Sequence, residues 1–225
     1  MRPSVSTADP GARHLERRRA NCLGAQYEYQ LESPAGEGPR PAILLLHGAG
    51  GTGTDMLDVW RALAARERVV LIAPDLPREL AFEAVAPAVF RCLLDDARAH
   101  ATIDDRRLYL FGYSMGGYLA LDGAMYASNC FAAVGVYGAA IADEYEGIVE
   151  HAQRRIPVAL YIGDRDRFYS TAQVRRTHVL LASRGFPVRL LVLPNQDHGY
   201  DRVSSRINED AWSYFRSFAL PAPAH

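Results

Sequence analysis

The sequence predicts a single α/β domain built around a mostly parallel central sheet with helices on both faces. Apolar runs of strand length alternate along the 225 residues with segments whose apolar side chains recur at helical spacing. Runs that are apolar throughout are typical of strands buried on both faces of a parallel sheet. The length suits one domain with a sizeable core, so we expect residues 1–21 to form a tail and residues 22–220 to form the domain.

The first half of the predicted domain contains three strands and two helices. Alternating polar and apolar residues over 26–31 predict an edge strand, whereas the continuous apolar runs 42–46 and 68–73 predict buried strands. Thr54 is placed to cap the helix between these two buried strands. Four apolar side chains at helical spacing predict the second helix: Phe82, Val85, Val89 and Leu93.

The second half continues this alternation without repeats or low-complexity segments. Further strands are predicted at residues 108–111, 132–137, 157–162 and 188–193. Helices are predicted to begin near residue 118 and to cover residues 143–154, 170–183 and a last segment ending near Phe218.

A sharp turn with a serine at its apex joins the strand 108–111 to the helix that follows. Gly112 and Gly116 stand two residues on either side of Ser114, where the absence of Cβ atoms leaves room for strained backbone angles. The pattern Gly-x-Ser-x-Gly between a strand and a helix is typical of a nucleophile elbow. The start of the helix also directs backbone N–H groups, that of Met115 first, to the place where a negative oxygen would develop.

A serine nucleophile needs a base and an orienting acid, and both follow in the expected order. One apolar strand leads to Asp164 and Asp166, and a later one leads to Asp197 and His198. Because parallel strands place their carboxyl ends at one edge of the sheet, we expect these side chains to lie near Ser114.

These motifs resemble those of the α/β-hydrolase family, from about Tyr27 to the C-terminus. Four of them are similar to the family's oxyanion loop, elbow, acid turn and histidine loop, respectively: residues 47–51, residues 112–117, Gly163-x-x-Asp166 and His198-Gly199. The lead-in Ile103-Asp104-x-x-Arg107-x-Tyr109 and the closing segment 211–215 resemble those of polyhydroxyalkanoate-depolymerase-like and feruloyl-esterase-like members, and the phospholipase/carboxylesterase branch is the neighbouring alternative. The resemblance implies an α/β-hydrolase fold, and the short segment between Tyr137 and Pro157 implies an open cleft without a large lid.

Chemistry and resemblance assign the same roles. We expect Ser114 to attack a carbonyl carbon, His198 to accept the serine proton and Asp166 to orient the imidazole. The expected oxyanion donors are backbone N–H groups: Met115 after the serine, and Ala49, or else Gly50, in the loop after the first buried strand. The predicted reaction is cleavage of a carboxylic ester or thioester through an acyl-enzyme. A serine peptidase or acyltransferase would use the same groups, whereas a non-catalytic binding protein would typically have lost one of them.

Three carboxylates lie near the position that the acid requires. The family spacing favours Asp166, Asp164 suits a turn or capping residue, and Asp197 is adjacent to His198 in sequence, which usually points its side chain elsewhere. An Asp-x-Asp pair near a histidine also suits a metal site, but no other ligands stand at metal-binding spacing. We therefore expect neither a metal nor a cofactor.

Several aromatic and apolar residues near the predicted strand ends are candidates for pocket walls. Tyr113 flanks the nucleophile, and the loops after the strands 132–137 and 157–162 supply the others: Ile141, Tyr145, Phe168 and Tyr169. These side chains would favour an aliphatic or aryl acyl group, or would simply pack the edge of the sheet. His47 ends a buried strand, and we expect it to support the oxyanion turn by hydrogen bonding.

Composition bears on partners and on cellular location. A net charge of −1 provides no long-range attraction to nucleic acid or to anionic membranes, so a small-molecule ester is the expected partner, and the oligomeric state stays open. All basic residues are arginines, and the run Arg17-Arg18-Arg19 is expected in the solvated tail. Without an apolar run of the ~20 residues that cross a bilayer, or of signal length at the N-terminus, we expect a cytoplasmic protein.

The three cysteines are odd in number and widely separated: Cys22, Cys92 and Cys130. We expect them to be reduced thiols, which fits a reducing compartment.

Overall fold

The computed structural model describes residues 13–77, 79 and 86–222, which form one α/β domain around an eight-stranded sheet. The strands are β1 (Arg13–Cys22), β2 (Ala25–Pro34), β3 (Arg40–Leu46), β4 (Val70–Pro74), β5 (Ile103–Tyr113), β6 (Ala133–Tyr137), β7 (Val158–Gly163) and β8 (Val188–Leu193). Their order is β1-β2-β4-β3-β5-β6-β7-β8, with β1–β2 and β2–β4 antiparallel and all other pairs parallel. The predicted fold class is confirmed.

Helices cover both faces of the sheet. They are α1 (Gly53–Glu67), α2 (Ala86–Arg98), α3 (Met115–Tyr126), α4 (Thr171–Ser183) and α5 (Ser204–Phe215), with a 3₁₀ helix at Asp143–His151. Side chains alternate along β5, so that Leu108 and Leu110 join the core under α2, α3 and α4, while Tyr109 and Phe111 join the core under α1 and α5. No helix within the described residues is long and apolar enough to cross a membrane.

The helix starting after the loop 47–51 begins earlier than the sequence pattern predicts. Thr52, not Thr54, is the N-cap of α1, because Thr52 and Asp55 form a reciprocal capping box in which each side chain accepts the other's backbone N–H. At the other end of α1, Arg68 adopts a left-handed conformation with φ 56°, so β4 begins at Val70.

Three other predicted helices differ from the structure in type, extent or coverage. The helix predicted at 143–154 is a shorter 3₁₀ helix, and the last helix ends at Phe215. Val89 and Leu93 are buried in α2 as predicted, whereas Phe82 and Val85 lie outside the described residues. The 3₁₀ helix is the only regular element between β6 and β7, so no lid domain is inserted there.

The predicted N-terminal tail is wrong for residues 13–21, because they form the edge strand β1. Residues 26–31, predicted as the edge, therefore lie in the second strand. Arg13 connects this arginine-rich segment to the neighbouring strand and to the end of α1. Its guanidinium donates to the buried carboxylate of Glu32 and to the carbonyl oxygens of Ala64 and Val69 at 2.9 and 2.8 Å. The run Arg17-Arg18-Arg19 lies on the same strand, and Arg17 and Arg19 pair with Glu28.

A disulfide joins Cys22 at the end of β1 to Cys92 in α2, across a sequence separation of 70 residues. The expectation of three reduced thiols is therefore wrong for these two cysteines, and the cysteines no longer indicate a reducing compartment. Cys130 is a free cysteine.

Candidate active site

The residues singled out by the sequence follow the carboxyl ends of four parallel strands. His47 follows β3, Ser114 follows β5, Asp166 lies three residues past β7 and His198 lies in the loop after β8. Since these strands run in the same direction, their ends meet at one edge of the sheet. The fold therefore brings together side chains that are up to 151 residues apart in sequence.

The turn that carries Ser114 is strained, and its neighbours make the strain sterically feasible. Ser114 has φ 55° and ψ −118°, a conformation that non-glycine residues rarely adopt. A Cβ atom at Gly112 would overlap the carbonyl oxygen of Gly116, and one at Gly116 would overlap the carbonyl oxygen of Leu46. Glycine is thus required at both positions by the close approach of backbone atoms.

His198 bridges the hydroxyl of Ser114 and the carboxylate of Asp166. Its Nδ1 lies 2.6 Å from Asp166 Oδ2, and its Nε2 lies 2.9 Å from Ser114 Oγ. An ionised carboxylate only accepts hydrogen bonds, so Nδ1 donates to Asp166 and Nε2 accepts from the serine hydroxyl. The side chain of Asp166 is fully buried, and its Oδ1 also accepts the backbone N–H groups of Phe168 and Tyr169 at 2.8 and 3.0 Å.

The two other carboxylates near the histidine have different environments. Asp197 accepts from the backbone N–H of Gly199 at 2.9 Å and pairs with Arg202 at 2.9 Å, and these interactions hold its pKa below the usual range. Asp164 is exposed, with its backbone N–H donating to Leu193 O. Within the described residues, no group of three or more His, Cys, Asp or Glu side chains is arranged to hold a metal ion.

The loop after β3 lies against the nucleophile turn. Gly48 approaches it so closely that an added Cβ would lie 3.3 Å from Ser114 Cβ. His47 is buried; its Nε2 accepts the backbone N–H of Leu76 at 2.9 Å, and its Nδ1 donates to Gly48 O at 2.8 Å. The hydrogen bond expected from His47 to the oxyanion turn, residues 47–51, is therefore present.

The three expected oxyanion donors occupy two segments beside the serine. Met115 is the first residue of α3, where a helix leaves its backbone N–H groups without intrahelical acceptors. Ala49 and Gly50 are exposed in the loop after β3, which a hydrogen bond from Gly51 N to Gly48 O closes at 3.0 Å.

Of the five residues suggested as pocket walls, three surround His198. The ring centroids of Tyr113, Phe168 and Tyr169 lie 5.2, 4.7 and 6.2 Å from that of the imidazole. Phe168 is 75% exposed despite this contact, so its ring presents an apolar surface to solvent beside the histidine. Ile141 is buried in the core, and Tyr145 is exposed on the 3₁₀ helix.

Two residues that sequence reasoning missed also contact this region. Gly138, with φ 64°, lies where an added Cβ would be 2.9 Å from His198 Cε1 and 3.4 Å from Asp166 Oδ2. Tyr137 donates its hydroxyl to the backbone carbonyl of Asp197 at 2.9 Å, and burial raises the pKa of this phenol so that it stays protonated at neutral pH. Their position at the carboxyl end of β6, with Tyr137 as its last residue and Gly138 directly after it, was the available signal.

Known structures share this fold. The chain is 18% identical to a putative dienelactone hydrolase from Klebsiella pneumoniae, with a TM-score of 0.76 over 91% of this chain and 99% of the other. A dienelactone hydrolase-like promiscuous phosphotriesterase, P91, from metagenomic libraries gives 15% identity and a TM-score of 0.77 over 92% and 99% of the chains. A thermostable esterase gives 21% identity and a TM-score of 0.73 over 91% of this chain and 63% of its own.

The family assignment comes from the sequence itself. No curated protein matches this chain. The model of the dienelactone hydrolase family, however, matches residues 28–219, which include every strand from β3 to β8 and all four loops of the site. The narrower resemblance to the depolymerase, feruloyl-esterase or carboxylesterase branches stays a prediction. The chain belongs to the dienelactone hydrolase family, within the α/β-hydrolase superfamily.

Proposed function

We propose that the protein is a serine hydrolase that cleaves carboxylic ester bonds of small molecules through an acyl-enzyme on Ser114. The observation that carries the proposal is the chain of two hydrogen bonds, at 2.9 and 2.6 Å, from Ser114 through His198 to Asp166. A serine hydroxyl becomes a useful nucleophile only when a base removes its proton, and the base works only when a third group holds it in the correct tautomer.

The reaction proceeds in two halves. Ser114 Oγ attacks the carbonyl carbon while His198 Nε2 accepts the hydroxyl proton, and the imidazolium then protonates the departing alkoxide so that the C–O bond breaks. A water molecule, activated by the same nitrogen, attacks the acyl-enzyme and releases the carboxylic acid and Ser114. Asp166 stays ionised and stabilises the imidazolium.

Backbone N–H groups stabilise the negative oxygen of each tetrahedral intermediate. Met115 supplies one donor, and Ala49, with Gly50 as the alternative, supplies the second. The position of Met115 at the start of α3 and the contact between the loop after β3 and Ser114 support this assignment. Removing one such donor typically lowers turnover by about 10²–10³-fold.

Esters are the favoured substrate class on two grounds. The family name and the names of similar structures, an esterase and a dienelactone hydrolase among them, refer to hydrolases. The aromatic rings beside His198, of which Phe168 is largely exposed, offer an apolar surface to an aliphatic or aryl group. Thioesters share the same chemistry and belong in the same substrate screen.

Replacement of the nucleophile tests the proposal. We expect Ser114→Ala to lower kcat for p-nitrophenyl acetate and butyrate by at least about 10³-fold, because no other group in the site attacks the carbonyl. A fluorophosphonate probe should add its mass to the wild type and not to the variant. Ser183→Ala, which removes an exposed hydroxyl at the end of α4, is the matched control. Wild-type activity in Ser114→Ala would refute the mechanism.

A further inference from the structure

A cavity of about 250 Å³ lies beside the nucleophile turn, and the loop after β3 forms part of its wall. Its lining includes residues 48–51 of that loop, Met56 and Val59 of α1, and Tyr113 and Tyr200, whose rings stack with their centroids 5.4 Å apart. Tyr113 precedes Ser114 in the chain, and Gly48 is the residue whose added Cβ would lie 3.3 Å from Ser114 Cβ. A group bound in this cavity would therefore belong to a molecule that also reaches the serine.

The size and the walls of this cavity set the class of group that fits. An apolar cavity of about 150 Å³ holds a benzene molecule, so a volume of about 250 Å³ accommodates a ring or a short branched chain. Met56, Val59 and the rings of the two tyrosines supply apolar surface. Burial raises the pKa of Tyr113 and Tyr200, so neither phenol is charged at neutral pH.

Two charged side chains line the cavity among the residues that the structure describes, and both are carboxylates. Asp55 is committed to the cap of α1, where its Oδ2 accepts from the backbone N–H and the hydroxyl of Thr52. Asp201 is exposed, and its carboxylate has no hydrogen bond or ion pair with any described residue; only its backbone carbonyl accepts a bond, from Ser204 Oγ. His47 also lines the cavity, but its Nε2 accepts a backbone N–H and so carries no proton.

We propose that this cavity is a substrate subsite that selects a small apolar group without negative charge, and prefers one that ends in a cationic ammonium facing Asp201. The inference rests on the proposed ester hydrolysis at Ser114 and adds the substrate class. Among the described residues of the cavity wall, an anionic group would meet two carboxylates and no cation, whereas a quaternary ammonium combines apolar methyl groups with a charge that Asp201 attracts.

Esters matched in chain length and different in terminal charge test this subsite, and the cationic and neutral members of each set are also matched in shape. On the alcohol side the set is the acetate esters of choline, 3,3-dimethylbutanol and 3-hydroxypropanoate. On the acyl side it is the phenyl esters of 4-trimethylammoniobutanoate, 5,5-dimethylhexanoate and glutarate. We expect kcat/KM to decrease from cation to neutral to anion in at least one set, and the side on which it does so identifies the half of the ester that the cavity holds.

Two variants connect that preference to the cavity. Asp201→Asn should reduce the cation-to-neutral ratio of kcat/KM by about two- to fivefold, which is the size expected for an exposed charge pair, and raised salt should reduce it in the wild type. Asp58→Asn, on α1 beside Val59 but outside the cavity lining, is the matched control and should leave the ratio unchanged.

Val59→Phe should fill the cavity and lower kcat/KM for the bulky neutral ester at least about tenfold relative to methyl acetate.

The outcomes separate the two proposals. Ser114-dependent hydrolysis with equal kcat/KM for all three charges, or a charge preference that Asp201→Asn leaves unchanged, would overturn the subsite and leave the proposed function standing. Absence of Ser114-dependent hydrolysis for every ester in both sets would overturn both.

Discussion

At the scale of single residues, the site depends on positions where the backbone conformation or a close contact restricts which side chain can be present. Ser114 holds a backbone conformation that costs about 1–3 kcal/mol. The surrounding structure maintains it, because Ser114 N donates to Tyr137 O at 2.9 Å and Ser114 O accepts from Tyr118 N at 3.0 Å. The two flanking glycines allow the chain to approach Leu46 and the start of α3 at the same point.

The identity of the orienting acid is testable by a pair of isosteric changes. We expect Asp166→Asn to lower kcat by about 10²–10⁴-fold, because an amide facing Nδ1 no longer holds His198 in the tautomer that accepts the serine proton. Asp164→Asn should stay close to the wild-type value, since its carboxylate is exposed and makes no bond to His198. The measurement is kcat on p-nitrophenyl butyrate, and the reverse order of effects would transfer the role to Asp164.

A substitution at Gly138 is also expected to lower kcat, although it removes no reactive group. Gly138→Ala would place a methyl group 2.9 Å from His198 Cε1 and force an L side chain into φ 64°, so the imidazole or the backbone must move. We expect kcat to fall by about 10–100-fold, the cost of a misplacement near 1 Å. Gly147→Ala, whose added Cβ meets no atom within 4 Å, is the control, and equal kcat values for the two variants would contradict the steric argument.

At the scale of elements, the loop after β8 is held by contacts to β6 and by bonds within the loop. Tyr137 donates to Asp197 O at 2.9 Å, Gln196 Nε2 donates to Gly199 O at 3.0 Å, and Asp197 Oδ1 accepts from Gly199 N at 2.9 Å. These bonds fix the backbone on both sides of His198. The position of the base therefore depends on a neighbouring strand as well as on its own.

Removal of the Tyr137 hydroxyl tests that dependence. We expect Tyr137→Phe to lower kcat several-fold with little change in KM, because the lost bond positions the base and contacts no substrate. Tyr214→Phe removes a comparable bond, to Pro187 O at 3.2 Å, outside the site loops and should leave kcat unchanged. An unchanged kcat in Tyr137→Phe would mean that the other bonds of the loop, among them Arg165 N to Gln196 O at 2.9 Å, are sufficient to position His198.

The disulfide between β1 and α2 predicts an effect on stability. Closing a chain segment of 70 residues restricts the unfolded state, and bonds of this kind typically contribute about 2–4 kcal/mol. We expect reduction, or the double change of Cys22 and Cys92 to Ala, to lower the free energy of unfolding in urea by that amount. Cys130→Ala controls for the loss of a thiol, and an unchanged unfolding midpoint after reduction would contradict the prediction.

At the scale of the whole molecule, the sequence predicted the parts of the fold that local patterns determine. The strands from β3 to β8 are apolar runs bounded by turn residues, and the elbow glycines mark a backbone contact that permits no other residue. The convergence of Ser114, Asp166 and His198 could be expected from parallel strands, whose carboxyl ends share an edge. The choice of Asp166 over Asp164 needed a family spacing, because both residues follow the same strand.

The N-terminal hairpin could not be predicted, because its causes lie elsewhere in the chain. Most of β1 is exposed, so it has little apolar periodicity, and its arginines are ordered by carboxylates such as Glu28 and Glu32 on the next strand. The disulfide partner of Cys22 is 70 residues away. The roles of Tyr137 and Gly138 have a similar origin, since they depend on contacts with the loop after β8.

The raised pKa of Asp122 predicts how the stability of the whole molecule varies with pH. This half-buried carboxyl lies in α3, and burial raises its pKa to about 6, with His151 opposing the shift. In the unfolded chain the group ionises near pH 4, so between about pH 4 and pH 6 the folded state binds more protons and stability falls as pH rises. Discounted for the exposed part of the group, the loss at pH 8 is on the order of 1 kcal/mol.

Asp122→Asn should remove this loss, because the amide carries no proton equilibrium in either state. Urea unfolding at pH 4, 6 and 8 should show the variant gaining stability relative to the wild type as pH rises, with the difference appearing between pH 4 and 6. Asp95→Asn, an exposed carboxylate of α2 that pairs with Arg98, should show no such trend. A constant difference between Asp122→Asn and wild type across the three pH values would mean that Asp122 ionises as readily in the folded protein as in the unfolded chain.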